Sequence, residues 1–172
     1  GKPRLGLDYF FLSVDFYSDI KIRHLKRVHG SYGIHAFIFL EQLIFRFGSF
    51  LKFDLDDLVF ELSDELRIDE ARALEILNYL VKLKLFDQTS FDRGYLTSIE
   101  IQEHYYFATK ERKVRTQPEC WLLSEEKMEE IDSGIKHKKL ISGGEDNISP
   151  GVNNVFPDSN DIYPPNNRHS NS

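Results

Sequence analysis

Four cations fall within six positions near the end of the apolar part of the chain: Lys110, Arg112, Lys113 and Arg115, accompanied by the single carboxylate Glu111. A cluster of that kind suits a phosphate backbone, because each cation that neutralises a phosphate releases a condensed counterion and makes binding salt-dependent. The same residue types at the end of a helix also complement its negative C-terminal partial charge. Both roles fit the pattern. A second set recurs at helical spacing: Arg72, Glu75, Tyr79 and Lys82, with Asn78 beside them. Arginine and asparagine can pair with base edges through two hydrogen bonds, and tyrosine can stack or reach a phosphate. An ordinary solvated helix face has a similar composition. Lys84 and Arg93 bracket a polar stretch, and would touch phosphate or a minor groove if that stretch is a hairpin tip. Arg23, Lys26 and Arg27 form a further basic group, which reads first as a solvated helix face.

Signatures of other chemistry are absent. His24, His29 and His35 lack zinc-ligand spacing and have no cysteine nearby. Cys120 has no histidine and acid to activate it, and beside Trp121 it reads as a packed side chain. The acidic run Asp54, Asp56, Asp57, Glu61, Asp64 and Glu65 resembles a calcium loop only at its start, since Val59 stands where the sharp turn needs glycine. Glu100, Glu103 and His104 sit together on one helix, as surface carboxylates often do. No Walker loop, dinucleotide fingerprint or nucleophile elbow occurs. The expectation is a protein that is not an enzyme and uses no cofactor or metal.

Charge and composition narrow the field. The 172 residues carry a formal net charge of -6, which argues against indiscriminate coating of nucleic acid but not against a local basic patch. Residues 1–109 hold 13 basic and 17 acidic side chains, whereas residues 110–115 hold four basic and one acidic, so the positive charge is local. With Cys120 the only cysteine, no internal disulfide can form, and a cytoplasmic setting is expected. The most apolar run, Ile34 to Phe47, is too short to span a bilayer and is interrupted by Glu41, Gln42 and Arg46. No basic stretch followed by an apolar one opens the chain, so no signal peptide is expected.

These residues must be held by elements, and the element signals come in a definite order. Ser18 offers an N-cap for a helix ending at Gly30, with Ile22, Leu25 and Val28 on one face and Arg23, Lys26 and Arg27 on the other. Ser31 opens a second helix, apolar round most of its girth, that stops at Gly48. Residues 50–53 alternate like a short strand. Asp54 caps a third helix with Leu55, Leu58, Val59 and Leu62 as its inner stripe; after a break at Arg67 and Ile68, Asp69 caps a fourth that reaches about Lys84. Its inner face is Ala73, Leu74, Ile76, Leu77, Leu80 and Val81. Leu85-Phe86 and Tyr95-Leu96, around a polar turn containing Gly94, read as a hairpin. Thr97 with Glu100 three residues on reads as a capping box for a fifth helix that runs into the basic cluster. The order predicts a mainly α fold with a small β-hairpin wing, a winged helix-turn-helix. Its domain would span residues 1–124, with a short helical or irregular extension over 125–140. Residues 141–172 include seven Asn, five Ser, four Pro and three Gly, the composition of a flexible tail.

Particular residues add to this pattern. Gly6-Leu7-Asp8-Tyr9-Phe10, Val14-Asp15-Phe16, Asp19-x-Lys21-Ile22, Leu83-x-Leu85-Phe86, Leu96-Thr97-Ser98, Ile101-Gln102, Ala108-Thr109-Lys110 and Trp121-Leu122-Leu123 form a string across residues 3–124. As a set it resembles an N-terminal domain family of bacterial, phage and mobile-element proteins, similar to the DnaD-type winged-helix domains of replication initiation and to phage replisome organisers. The resemblance implies a winged helix and a part in DNA binding or replisome assembly, and it brings no catalytic residues. Phe11 stands where that pattern has a proline, and only the polar tail follows where phage replication proteins often carry a further domain. Two expectations result. One is a DNA-binding protein of a phage or mobile-element replication system, contacting duplex or single-stranded DNA through Arg72, Asn78, Tyr79, Lys82, Lys84, Arg93, Lys110, Arg112, Lys113 and Arg115. The other is a protein-interaction module on the same fold that forms a homodimer or docks replication proteins without binding DNA. Neither involves a membrane.

Overall fold

Residues 4–112 and 117–134 are described by the computed structural model. The chain enters as an extended arm that crosses the later helices, then makes a 3-10 turn at Phe16–Ser18. Helix α1 (Ile20–Phe47) follows, capped by the Asp19 carboxylate, which accepts the N–H groups of Lys21 and Ile22. The cap is therefore one residue later than Ser18, which closes the 3-10 turn instead. Gly30 breaks α1 with φ 61° and ψ -147°, a conformation almost closed to residues with a Cβ. The two expected helices are thus two halves of one bent element. A Cβ on Gly33 would lie 2.8 Å from Leu25 Cδ1, so the elbow closes only because position 33 is bare.

Strand β1 (Leu51–Lys52) leads to α2 (Leu55–Leu66), whose cap is Asp54. Arg67, at φ 56°, turns the chain, and the Ser63 hydroxyl donates to the Ile68 carbonyl at 2.6 Å to hold the turn. Asp69 then caps α3 (Glu70–Lys82). Both caps and the break between them are where the sequence places them. The inner faces of α2 and α3 (Leu58, Val59, Leu62, Ala73, Ile76, Leu77 and Leu80) are buried in one core with Leu25, Leu40 and Ile44 of α1. Leu55 and Val28, expected inside, are exposed at 42% and 55%.

The expected hairpin forms differently. Asp87 caps a short helix, α4 (Gln88–Asp92), by accepting both the N–H and the hydroxyl of Ser90. Leu85 and Phe86 are not a strand; Phe86 is a core side chain. Strand β2 (Tyr95–Leu96) pairs antiparallel with β1, Leu51 opposite Leu96 and Lys52 opposite Tyr95. One backbone bond, Asp87 N–H to Thr97 O at 2.8 Å, links the incoming limb to the outgoing one. The fold is mainly helical with a small antiparallel two-stranded sheet.

Helix α5 (Ile99–Ala108) is capped by Ser98, not Thr97. Thr97 is buried and donates to the Ser49 carbonyl. Helix α6 (Glu125–Asp132) packs on α5 through Tyr106, Leu123 and Ile131, and the Tyr106 hydroxyl donates to Asp132 at 2.7 Å. Among the described residues no helix is long and apolar enough to cross a membrane.

Candidate nucleic-acid interface

Helix α3 buries one side and presents the other. Arg72, Glu75, Asn78 and Lys82 are exposed, at the spacing that places them opposite Ala73, Ile76, Leu77 and Leu80. Tyr79 is only half-exposed: its ring meets His29 edge-on at 5.1 Å. Burial, more than neighbouring charge, lowers the His29 pKa; Glu75 opposes that shift and Arg72 adds to it. The Arg72 guanidinium lies 4.4 Å from the centre of the Tyr32 ring, which keeps its charge at the surface while fixing its direction. Lys84 is exposed at φ 60°, and its carbonyl accepts from Lys21 Nζ at 3.2 Å. Arg93 is exposed beside β2, over the Tyr95 ring.

The basic cluster divides. Lys110 is exposed, with its ammonium 5.0 Å from the Phe107 ring. Arg112 already has partners: it donates to the carbonyls of Arg4, Leu5 and Gly6 at 2.7, 3.0 and 2.8 Å, tying the arm to the end of α5. Its guanidinium holds backbone, a structural task that the sequence cluster does not suggest. Lys113 and Arg115 lie outside the described residues, as do the tail and residues 135–140.

Two exposed helical segments packed against α3 carry opposite charge. The first half of α1 has Lys21, Arg23, Lys26 and Arg27 and no carboxylate, whereas α2 has Asp56, Asp57, Glu61, Asp64 and Glu65 and no cation. The five α2 carboxylates are all exposed. Glu65 meets His35 at 3.0 Å, an exposed pair that joins α2 to the second half of α1. Leu55 and Phe60, exposed at 42% and 58%, share α2 with the acids.

Other titratable groups serve the fold. His104 accepts the Phe11 N–H at 3.1 Å and packs against Phe11 and Phe45 with ring centres 4.9 Å away in each case. Burial holds its pKa below the usual 6.5, which suits the neutral ring that accepting through Nε2 requires. Gly6 passes so close to α1 that an added Cβ would sit 1.9 Å from the Arg46 carbonyl oxygen. The Cys120 thiol is buried, and burial pushes its pKa up. Gln102, fully buried, donates to Cys120 O at 2.8 Å and to Thr97 at 3.2 Å, and accepts the Leu122 N–H at 2.6 Å. It joins the 120–122 segment to α5 and the strand end. Sequence alone offered only that glutamine's place in the motif string, because its partners lie up to 20 residues away.

The arm and the bent α1, α2–α3 and β2 regions coincide with the stretch that defines relatives. Residues 9–101 match the family described as Lin1244/Lin1753-like, N-terminal, and the chain belongs to that family. It is 31% identical over 110 residues to the protein named "Uncharacterized phage-related protein Lin1244/Lin1753" from Listeria innocua serovar 6a. The match covers 63% of this chain and 35% of that relative, so the chain spans about a third of its length. No solved structure matches.

Proposed function

We propose that the folded part of this chain is a winged helix-turn-helix that binds DNA, without enzymatic activity, in a phage or mobile-element replication system of the cytoplasm. One observation carries the reading: α3, second of two helices joined by a tight turn, buries its inner face and leaves Arg72, Asn78 and Lys82 exposed together. That is the position from which a recognition helix reaches a groove. Lys84 and Arg93 flank it as phosphate contacts, and Lys110, with Lys113 and Arg115 beyond the described residues, would anchor a more distant phosphate. Arg112 is left out of the contact set because three carbonyls occupy it. The test is fluorescence anisotropy of labelled duplex and single-stranded DNA with the full chain at about 50 and 200 mM salt. Salt-sensitive binding that Arg72→Ala with Asn78→Ala weakens about tenfold or more supports the reading. Silence toward both DNAs at the lower salt sinks it.

A second reading is favoured by the acidic, partly apolar surface of α2. Five carboxylates around exposed Leu55 and Phe60 suit a basic protein partner or a second copy better than DNA. A concentration-dependent dimer by light scattering, without DNA affinity, would select this reading over the first.

A further inference from the structure

The helix that precedes the recognition helix in helix-turn-helix proteins normally crosses the DNA backbone. Here that helix is α2, and its five exposed carboxylates would meet phosphates with repulsion. The first half of α1 also packs alongside α3. Lys21 bonds the carbonyl of Lys84, just past the end of α3, and His29 meets Tyr79 within it, so this half runs antiparallel to α3. Packed helix axes lie about 8–10 Å apart, and a major groove is about 12 Å wide, so a helix beside one in the groove sits near the bordering phosphates.

The side chains on that half of α1 fit a polyanion. Arg23, Lys26 and Arg27 are exposed, and none of them pairs with a carboxylate among the described residues. They line one open groove with His24, Tyr17 and Ile20. Tyr17 and Ile20 are 61% and 57% exposed, and the Lys26 ammonium lies 5.5 Å from the Tyr17 ring centre. Arg23 and Arg27 stand one turn apart, about 6 Å along the axis, a length over which a duplex strand presents about two phosphates.

We infer that the groove along residues 20–27 binds the phosphodiester backbone of DNA, with Arg23, Lys26 and Arg27 on phosphates and Tyr17 and Ile20 against the sugars. This site rests on the DNA-binding reading above and gives α1 the backbone contact that α2 cannot make. The full chain is titrated into a labelled duplex and a single strand of equal length across a salt series. The double variant Arg23→Gln/Arg27→Gln is compared with Lys52→Gln/Arg67→Gln, which removes the same charge elsewhere. The changed groove residues are exposed, and thermal melts check that both variants fold. The expected result is a loss of about tenfold at 0.15 M salt for the groove variant, with a salt slope shallower by about two and the control near native. Native affinity and slope in the groove variant, while Arg72→Ala/Lys82→Ala weakens binding, overturns the groove and leaves the α3 reading standing. An equal loss in the control also overturns it, since net charge alone then accounts for the effect. No binding by the unmodified chain at 0.05 M salt overturns both readings.

Discussion

The first half of α1 and helix α2 are similar in length and lean on the same helix, yet one carries four cations and no acid and the other five acids and no cation. The net charge of -6 conceals that division. Because screening in physiological salt acts over about 8 Å, a polyanion near one helix feels mainly the charges of that helix. A whole-chain charge is thus a poor guide to what this surface accepts, and the sign of each face is the quantity to test.

The largest expected effect concerns the only carboxyl of α1, Glu41, half-buried in its second half. Burial pushes its pKa from 4.5 up to about 8, so its neutral form predominates at pH 7. Between pH 4.5 and 8 the unfolded chain has lost the proton that the folded chain keeps. The contribution is complete below that window and is lost as pH rises through it, at up to about 1.4 kcal/mol per unit. Glu41→Gln should flatten the decline in denaturant midpoint across that range; an unchanged slope would show the carboxyl to be solvated and the contrast with α2 smaller. Next, Gly30→Val should cost about 1–3 kcal/mol, because valine is strained at this φ and ψ. It should lower the melting temperature and displace the basic half from α3; a native melt would mean that the elbow does not place that half. Glu61→Gln with Asp64→Asn, beyond the first turn where carboxylates favour the helix, should tighten DNA binding two- to threefold at about 50 mM salt, with the gain fading at higher salt. No gain would place α2 away from the DNA. Smallest is the His35–Glu65 pair, where a double-mutant cycle should read about 0.2–1 kcal/mol because both side chains are half-exposed to water.

Local signals in the sequence were reliable where one residue could act alone. Asp54 and Asp69 cap as expected, and Gly30 interrupts its helix. Where two neighbours could each cap, as at Ser18 and Asp19 or Thr97 and Ser98, the residue nearer the helix took the role; Thr97 was engaged with Ser49, leaving Ser98 at the helix end. The sheet was harder to foresee, since Leu96 pairs with Leu51 across 45 residues and the apolar pair at 85 and 86 looked equally strand-like. Of the candidate interface, the α3 stripe was legible from its period. Arg112 was not, because its partners lie more than 100 residues upstream and nothing near it in sequence distinguishes it from Lys110.

The Arg112 clamp also has a mechanical side. It fastens residues 4–6 to the end of α5 and, with the Tyr105 hydroxyl that donates to Leu5 O at 2.7 Å, anchors the start of the arm. A pull applied before residue 4 would load these bonds first, and those of Leu7 and Phe11 only after they had given way.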